Sequence, residues 1–215
     1  MSITPTTLTR VSAVAATLAG LAYIAIQFIH PADVIESLST PLWVQVHILS
    51  FAEAVLALIG LTGIYFVQAR KAGILGLIAY ALFAFFFVLQ AAFNFAEAFI
   101  APLIAQSAPQ LAVDFVGLFG RYAPVTDLGA LAALPTVGAA LYVVGAILLG
   151  IVVIRSRVLA RGAGILLIAA AVATPIAGVL LPHALERMAA VPMGAALVWL
   201  GVSLWVNSSA NAATS

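Results

Sequence analysis

The sequence predicts an all-α integral membrane protein, a six-transmembrane-helix bundle with a short amphipathic outer-surface helix between spans 3 and 4. Three observations support this class: 65% of the 215 residues are hydrophobic, 7% are charged, and the apolar residues fall in six long stretches. An ordinary soluble domain carries about a quarter charged residues. This chain therefore lacks the polar surface that a water-exposed globule needs, and we expect a multi-pass protein of the cell membrane.

The six predicted spans each meet the length that a bilayer requires, which is about 20 apolar residues for a hydrocarbon core of about 30 Å. They are residues 11–30, 43–68, 73–106, 128–154, 162–181 and 189–206. Pro31, Pro41 and Pro182 lie at their edges, where proline is expected to end or begin a helix. We therefore predict one membrane domain over residues 1–206, followed by a small, polar and disordered tail at 207–215.

The basic residues predict the orientation. Placing the N-terminus inside puts six of the eight Lys and Arg residues on the cytoplasmic side, as the positive-inside rule requires. With six spans, the C-terminus is then cytoplasmic as well. An alternative is that the first stretch is a cleaved signal peptide, which would leave five spans. Its apolar run is nearly twice the usual length of a signal-peptide core, so we favour the span.

The segment 107–127 is the longest predicted loop. Its apolar residues approximate helical spacing, and Ser107 is a candidate N-cap. We expect an amphipathic helix on the outer surface, with two interpretations. It is either a lid, or a helix that only satisfies its own backbone at the interface.

Polar side chains inside the spans are the main functional signal, because an ionisable group in lipid costs a few kcal/mol even on insertion scales, about 2.5–3.5 at the helix centre. All of them fall in the outer half of the predicted bilayer. They are Gln45, His47, Ser50 and Glu53 in span 2, Gln90, Asn94 and Glu97 in span 3, Thr174 in span 5, and Gln27, His30 and His183 at or just beyond span ends.

Folding spans 2 and 3 about the turn at 70–71 brings residue 47 level with 94 and residue 44 level with 97. We therefore expect Glu53 to pair with Gln90, and His47 with Asn94 or Glu97. At 100° per residue, Gln90, Asn94 and Glu97 share one stripe about 60° wide.

Two prolines in the outer half of the bundle predict a cavity there. Pro135 and Pro175 each remove a backbone hydrogen bond, which would free the carbonyls of Leu131 and Ala171. Such backbone is tolerated where protein or a water-filled cavity covers it. We therefore expect an outward-facing pocket, roofed by 107–127 and lined by the span 2 and span 3 polar groups.

Three functional hypotheses remain. In the first, the pocket binds or transforms a small lipophilic ligand, with Glu53 and His47 as acid/base candidates and Gln90, Asn94, Glu97 and Thr174 as ligand-binding residues. The structural alternative for Glu53 is a neutral carboxyl that bonds to Gln90 and sets helix register. In the second, His47 and His183 ligate a metal or a b-type haem. In the third, the protein is a transporter or a non-catalytic membrane subunit, and the sequence leaves open whether it is an enzyme.

Composition also limits the possible binding partners and cofactors. The net charge is +1 with no basic cluster, which argues against nucleic acid, and membrane lipids are the expected surroundings. Without cysteine there is no disulfide, thiolate metal site or c-type haem attachment. Small residues at four-residue spacing, Ala16 with Gly20 and Ala146 with Gly150, allow close helix packing within the chain or in a homo- or hetero-oligomer.

Overall fold

The computed structural model describes residues 4–119 and 123–213, apart from the side chains of 183–184 and 210–213. All the regular structure in this part of the chain is helical. The α-helices are α1 (Pro5–Ile29), α2 (Ile35–Leu38), α3 (Pro41–Phe99), α4 (Ala101–Ser107), α5 (Pro109–Val116), α6 (Leu134–Ser156), α7 (Arg161–Leu180), α8 (His183–Glu186) and α9 (Val191–Ala213). Short 3₁₀ turns at Gly117–Phe119, Gly129–Ala133 and Arg187–Ala190 join them.

Five helical segments of the described chain are long and apolar enough to cross a membrane, which indicates a membrane protein. They are Pro5–Ile29, Pro41–Phe99, Gly129–Ser156, Arg161–Leu180 and Arg187–Ser209. Many large apolar side chains on these helices are exposed, including Ile74, Val179 and Val206. Large exposed apolar surfaces are rare on soluble monomers, and here they fit contact with lipid.

The 59-residue helix α3 consists of two antiparallel arms, 41–72 and 74–99. Gly73 separates them with φ 58° and ψ −152°, a conformation that is open to glycine and strained for other residues. The arms then run side by side: the Thr62 and Tyr80 hydroxyls lie 3.1 Å apart, and Trp43 Nε1 donates to the Glu97 carbonyl at 2.8 Å. Both contacts agree with the predicted antiparallel alignment, which puts residue 44 near the level of residue 97.

Glycines allow the helices to approach closely. A Cβ added to Gly20 would lie 2.7 Å from the backbone nitrogen of Val198 in α9. A Cβ on Gly150 would lie 2.6 Å from the Gly164 oxygen in α7. The predicted small-residue positions at Gly20 and Gly150 therefore pack within the chain, joining α1 to α9 and α6 to α7.

Several predicted boundaries are wrong around prolines. Span 3 was expected to reach 106, but α3 ends at Phe99 and α4 follows, because Pro102 has no N–H to continue the α3 ladder. Ser107 ends α4 instead of capping the next helix, and α5 begins at Pro109 without a side-chain cap. Pro135 occupies the first turn of α6, where proline is tolerated. The Leu131 carbonyl consequently stays bonded, to the N–H of Leu134.

The C-terminal segment also differs from the prediction. Residues 207–213, expected to be disordered, continue α9 as helix. The Ser208 hydroxyl donates to the Trp205 carbonyl at 2.7 Å, and the Asn207 amide donates to the Val158 carbonyl at 3.3 Å. These hydrogen bonds give the polar side chains of the segment partners on α9 and on the chain after α6, which composition alone does not reveal.

Candidate functional site

A cavity of about 390 Å³ lies among α1, both arms of α3, α6 and α7, at the end of the bundle opposite Gly73. We call this the cavity end, and the opposite one the turn end. The 3₁₀ turns at Gly117–Phe119 and Arg187–Ala190 complete the wall with Phe119, Arg187 and Ala190. The wall is mostly apolar and carries a limited set of polar groups. This is the usual composition of a small-molecule pocket.

Glu53 is the buried carboxylic acid of the first α3 arm and lines the cavity with an exposed fraction of only 2%. Its Oε1 atom has no hydrogen-bond partner among the described residues. The expected bond to Gln90 is therefore absent at this oxygen. An unsatisfied buried polar atom is costly, so a group that persists in this state calls for an explanation.

Gln90, Asn94 and Glu97 of the second α3 arm all line the cavity, as their shared stripe predicts. The Asn94 amide nitrogen donates to the Gln90 carbonyl at 2.8 Å, which orients the Asn94 side chain along its own helix. Helical spacing alone therefore brings these three side chains to one wall.

His47 does not line the cavity, contrary to its predicted place in the pocket wall. Its ring lies 4.1 Å from the Trp43 ring, and Nδ1 donates to the Trp43 carbonyl at 2.7 Å. Its Nε2 lies 3.4 Å from Glu97 Oε2, an ion-pair distance without hydrogen-bond geometry. His47 is fully buried, and its ring also lies 5.0 Å from the His30 ring, so it packs against residues of the cavity wall without being part of that wall.

Thr174 lines the cavity and is bonded to a residue that sequence reasoning missed. Its hydroxyl donates to the Ala170 carbonyl at 2.9 Å, so the Tyr142 hydroxyl, 3.0 Å away, donates to Thr174. Tyr142 and Tyr23 both line the cavity. Both tyrosines lie in apolar spans, where a buried hydroxyl needs a hydrogen-bond partner. That need is the signal in the sequence that could have identified them.

Asp33 and Arg187 form an ion pair at the cavity end that the sequence analysis also missed. Arg187 Nη2 donates to Asp33 Oδ2 at 3.1 Å, and both side chains line the cavity. The pair joins the segment after α1 to the 3₁₀ turn before α9, across 154 residues of sequence. Sequence spacing cannot reveal such a contact.

The segment after α4 packs over one side of the cavity. Val116 and Phe119 line it, and the Phe119 ring lies 4.8 Å from the Phe93 ring. Asp114 of α5 accepts backbone N–H bonds from Thr126 at 2.7 Å and from Val125 at 3.2 Å. The Asp114 carboxylate therefore joins α5 to the chain that leads into α6.

We expect this connection to weaken in acid. Hydrogen bonds from the Thr126 side chain, from the Thr126 and Val125 backbones and from Gln110 hold the pKa of Asp114 below its usual 3.8, against a smaller opposing effect of burial. Because the folded pKa is the lower one, the stabilisation is complete above about pH 3.8 and is lost as the pH falls through the folded value. Hydrogen exchange of the Val125 and Thr126 amides, corrected for intrinsic rates, should therefore accelerate as the pH falls below about 3.8.

Asp114→Asn should show the faster exchange already at neutral pH, because an amide accepts these bonds more weakly than a carboxylate. Asp127→Asn removes a carboxyl from the same segment, where it accepts from Gly129 N–H, and should leave the Val125 and Thr126 amides protected. Equal exchange in wild type and Asp114→Asn at neutral pH would show that the carboxylate does not hold this segment.

The metal and haem alternatives gain no support from the described residues. No group of three or more His, Cys, Asp or Glu side chains there is arranged to hold a metal ion. Of the two candidate ligands, His47 does not line the cavity, and the His183 side chain lies outside the described residues. The predicted haem pair therefore remains a prediction.

Comparisons of the chain with protein-family models, with curated proteins and with solved structures found no match.

Proposed function

We propose that this chain is a six-span protein of the cell membrane whose cavity opens to the outer side and binds a small lipophilic ligand. The observation that carries the proposal is the cavity itself. Its volume of about 390 Å³ falls within the range of 300–1,000 Å³ that is common for ligand pockets. Its wall combines apolar side chains with the buried carboxyl of Glu53, one oxygen of which has no hydrogen-bond partner in the part of the chain that the structure describes.

The two antiparallel arms of α3 support the six-span count, because each has a length sufficient to cross a bilayer. Charge supports the orientation. Basic residues gather at the turn end, namely Arg10, Arg70, Lys71, Arg155, Arg157 and Arg161. The Arg10 guanidinium lies 5.4 Å from the Trp205 ring, which joins the start of α1 to the later part of α9 at that end. By the positive-inside rule this end, with both termini, faces the cytoplasm.

Binding is favoured over acid/base chemistry by the position of His47. A general acid and base must both reach the reacting atoms. Glu53 lines the cavity and His47 does not, so the pair expected from the sequence has no shared access to a ligand.

We expect wild-type protein, extracted in a mild detergent, to retain a bound lipophilic molecule that native mass spectrometry detects. Glu53→Gln should weaken its binding by about 5- to 150-fold and so lower its occupancy, because removing one partner of a buried polar contact costs about 1–3 kcal/mol. Glu36→Gln, at an exposed position of α2 outside the cavity wall, is the matched control and should retain the molecule. Equal occupancy in all three proteins would contradict a role for Glu53 in binding.

We also expect single cysteines to report the proposed topology without background, since the chain has no cysteine of its own. Ser107→Cys, at an exposed position, should react with a membrane-impermeant maleimide in intact cells. Lys71→Cys and Arg155→Cys, also exposed, should react only after permeabilisation. The opposite pattern would reverse the orientation, and labelling of Lys71→Cys and Arg155→Cys on different sides would contradict the six-span count.

A further inference from the structure

The cavity wall is richer in acidic than in basic groups. Three carboxyls line it, those of Asp33, Glu53 and Glu97, against the single guanidinium of Arg187 among its described residues. Arg187 is bonded to Asp33 at 3.1 Å. His30, the remaining basic group of the wall, has Nδ1 2.7 Å from the Pro31 carbonyl. Among the described residues, no lysine or arginine of the wall is bonded to Glu53, and the basic group beside Glu97 is the imidazole of His47 at 3.4 Å, a residue that does not line the cavity.

Glu53 provides an observation independent of this charge count. Glu53 has an exposed fraction of only 2% and borders the cavity. Its Oε1 atom has no hydrogen-bond partner among the described residues. A buried acceptor without a donor is a site for a donor that a ligand brings. An ammonium group would supply both the hydrogen and the opposite charge.

Aromatic rings form part of the remaining wall, beside aliphatic side chains. Phe86, Phe93, Phe119 and Tyr142 line the cavity. Their faces attract cations as well as apolar groups, and this attraction increases when water is excluded. A wall that combines carboxyls with aromatic faces suits an organic cation better than it suits an anion.

We propose that the ligand of this cavity is a lipophilic amine, whose ammonium group bonds to the Glu53 carboxylate and whose apolar part packs among the phenylalanine rings. This inference rests on the proposed function and specifies its chemical class. A carboxylate ligand would bring acceptors and no donor to the Glu53 oxygen. A neutral alcohol would supply one donor but no charge.

The test compares three probes with the same skeleton: 4-phenylbutylamine, 4-phenyl-1-butanol and 4-phenylbutyrate. Binding to full-length protein in nanodiscs of zwitterionic phosphatidylcholine is measured by saturation-transfer NMR and calorimetry, and empty nanodiscs supply the partitioning background. We expect the amine to bind at least about tenfold more tightly than the alcohol, and the carboxylate to bind least. Glu53→Gln should remove the preference for the amine, and Glu36→Gln should preserve it.

The probe comparison in the wild-type protein does not depend on the folding of a variant. If the alcohol binds as tightly as the amine, or the carboxylate binds best, the amine inference is overturned while a ligand-binding cavity stands. The same holds if no probe binds but a neutral lipid is retained on purification. If no probe binds and nothing is retained, both proposals are overturned. A preference for the amine that persists in Glu53→Gln would overturn the assignment to Glu53.

Discussion

Replacing Gly20 with leucine is expected to destabilise the protein by about 3 kcal/mol or more, the upper part of the range for overpacked sites. A Cβ at Gly20 would contact the Gly194 oxygen and lie 2.7 Å from the Val198 nitrogen, both of them backbone atoms of α9. Backbone atoms cannot rotate away as a side chain can, so α1 and α9 would have to separate. Because interiors are packed at crystal density, that separation would extend along the interface.

Gly178→Leu is the matched control, because it makes the same change in the long apolar helix α7. A Cβ there would have no atom of the described residues within 4 Å. We expect the control to keep the wild-type melting temperature in detergent to within a few degrees, or to exceed it slightly because leucine is the better helix former. If Gly20→Leu had the same melting temperature as Gly178→Leu, the close contact of α1 with α9 would be wrong.

Trp43→Ala is expected to cost about 3–5 kcal/mol, as truncation of a fully buried tryptophan does. Trp43 has no exposed surface, and its ring packs against His47 at 4.1 Å between centroids. Its Nε1 donates to the Glu97 carbonyl at 2.8 Å and so joins the far ends of the two α3 arms. Loss of the ring would leave a void beside the cavity wall, and we expect ligand retention to fall with stability.

Two further variants separate the effect of losing the buried ring from the effect of losing its hydrogen bond. Trp205→Ala removes a ring that is 44% exposed and should cost about 1 kcal/mol or less, mainly its contact with Arg10. Trp43→Phe keeps most of the ring volume but leaves the Glu97 carbonyl without its donor, and about 1–3 kcal/mol is expected. Thermal unfolding in one detergent measures all three. A Trp43→Ala protein as stable as Trp205→Ala would show that the arms are joined in another way.

Much of the helical pattern was predictable, because long apolar stretches and prolines act locally. The fold-back of α3 followed from the position of basic residues between two apolar stretches, and the structure has Gly73 at that turn. Local rules failed where a proline could act in more than one way. Pro102 ended a helix that was expected to continue, and Pro135 opened a helix in which it was expected to free a carbonyl.

The cavity was predictable in part for the same reason. Gln90, Asn94 and Glu97 share one face of their helix. Once that face borders the cavity, all three side chains border it. His47 packs against Trp43 through its ring and bonds to the Trp43 carbonyl, and it does not line the cavity. Helical spacing contains no information about that packing.

The helical class, the long apolar segments and the list of polar residues to be explained all followed from the sequence, because each depends on composition and on neighbours within a few turns. The tertiary structure decided which of those residues meet. The Asp33–Arg187 pair, the Tyr142–Thr174 hydrogen bond and the unpartnered Glu53 oxygen depend on how separate helices approach one another. That approach depends on packing between segments far apart in the chain, which no local pattern encodes.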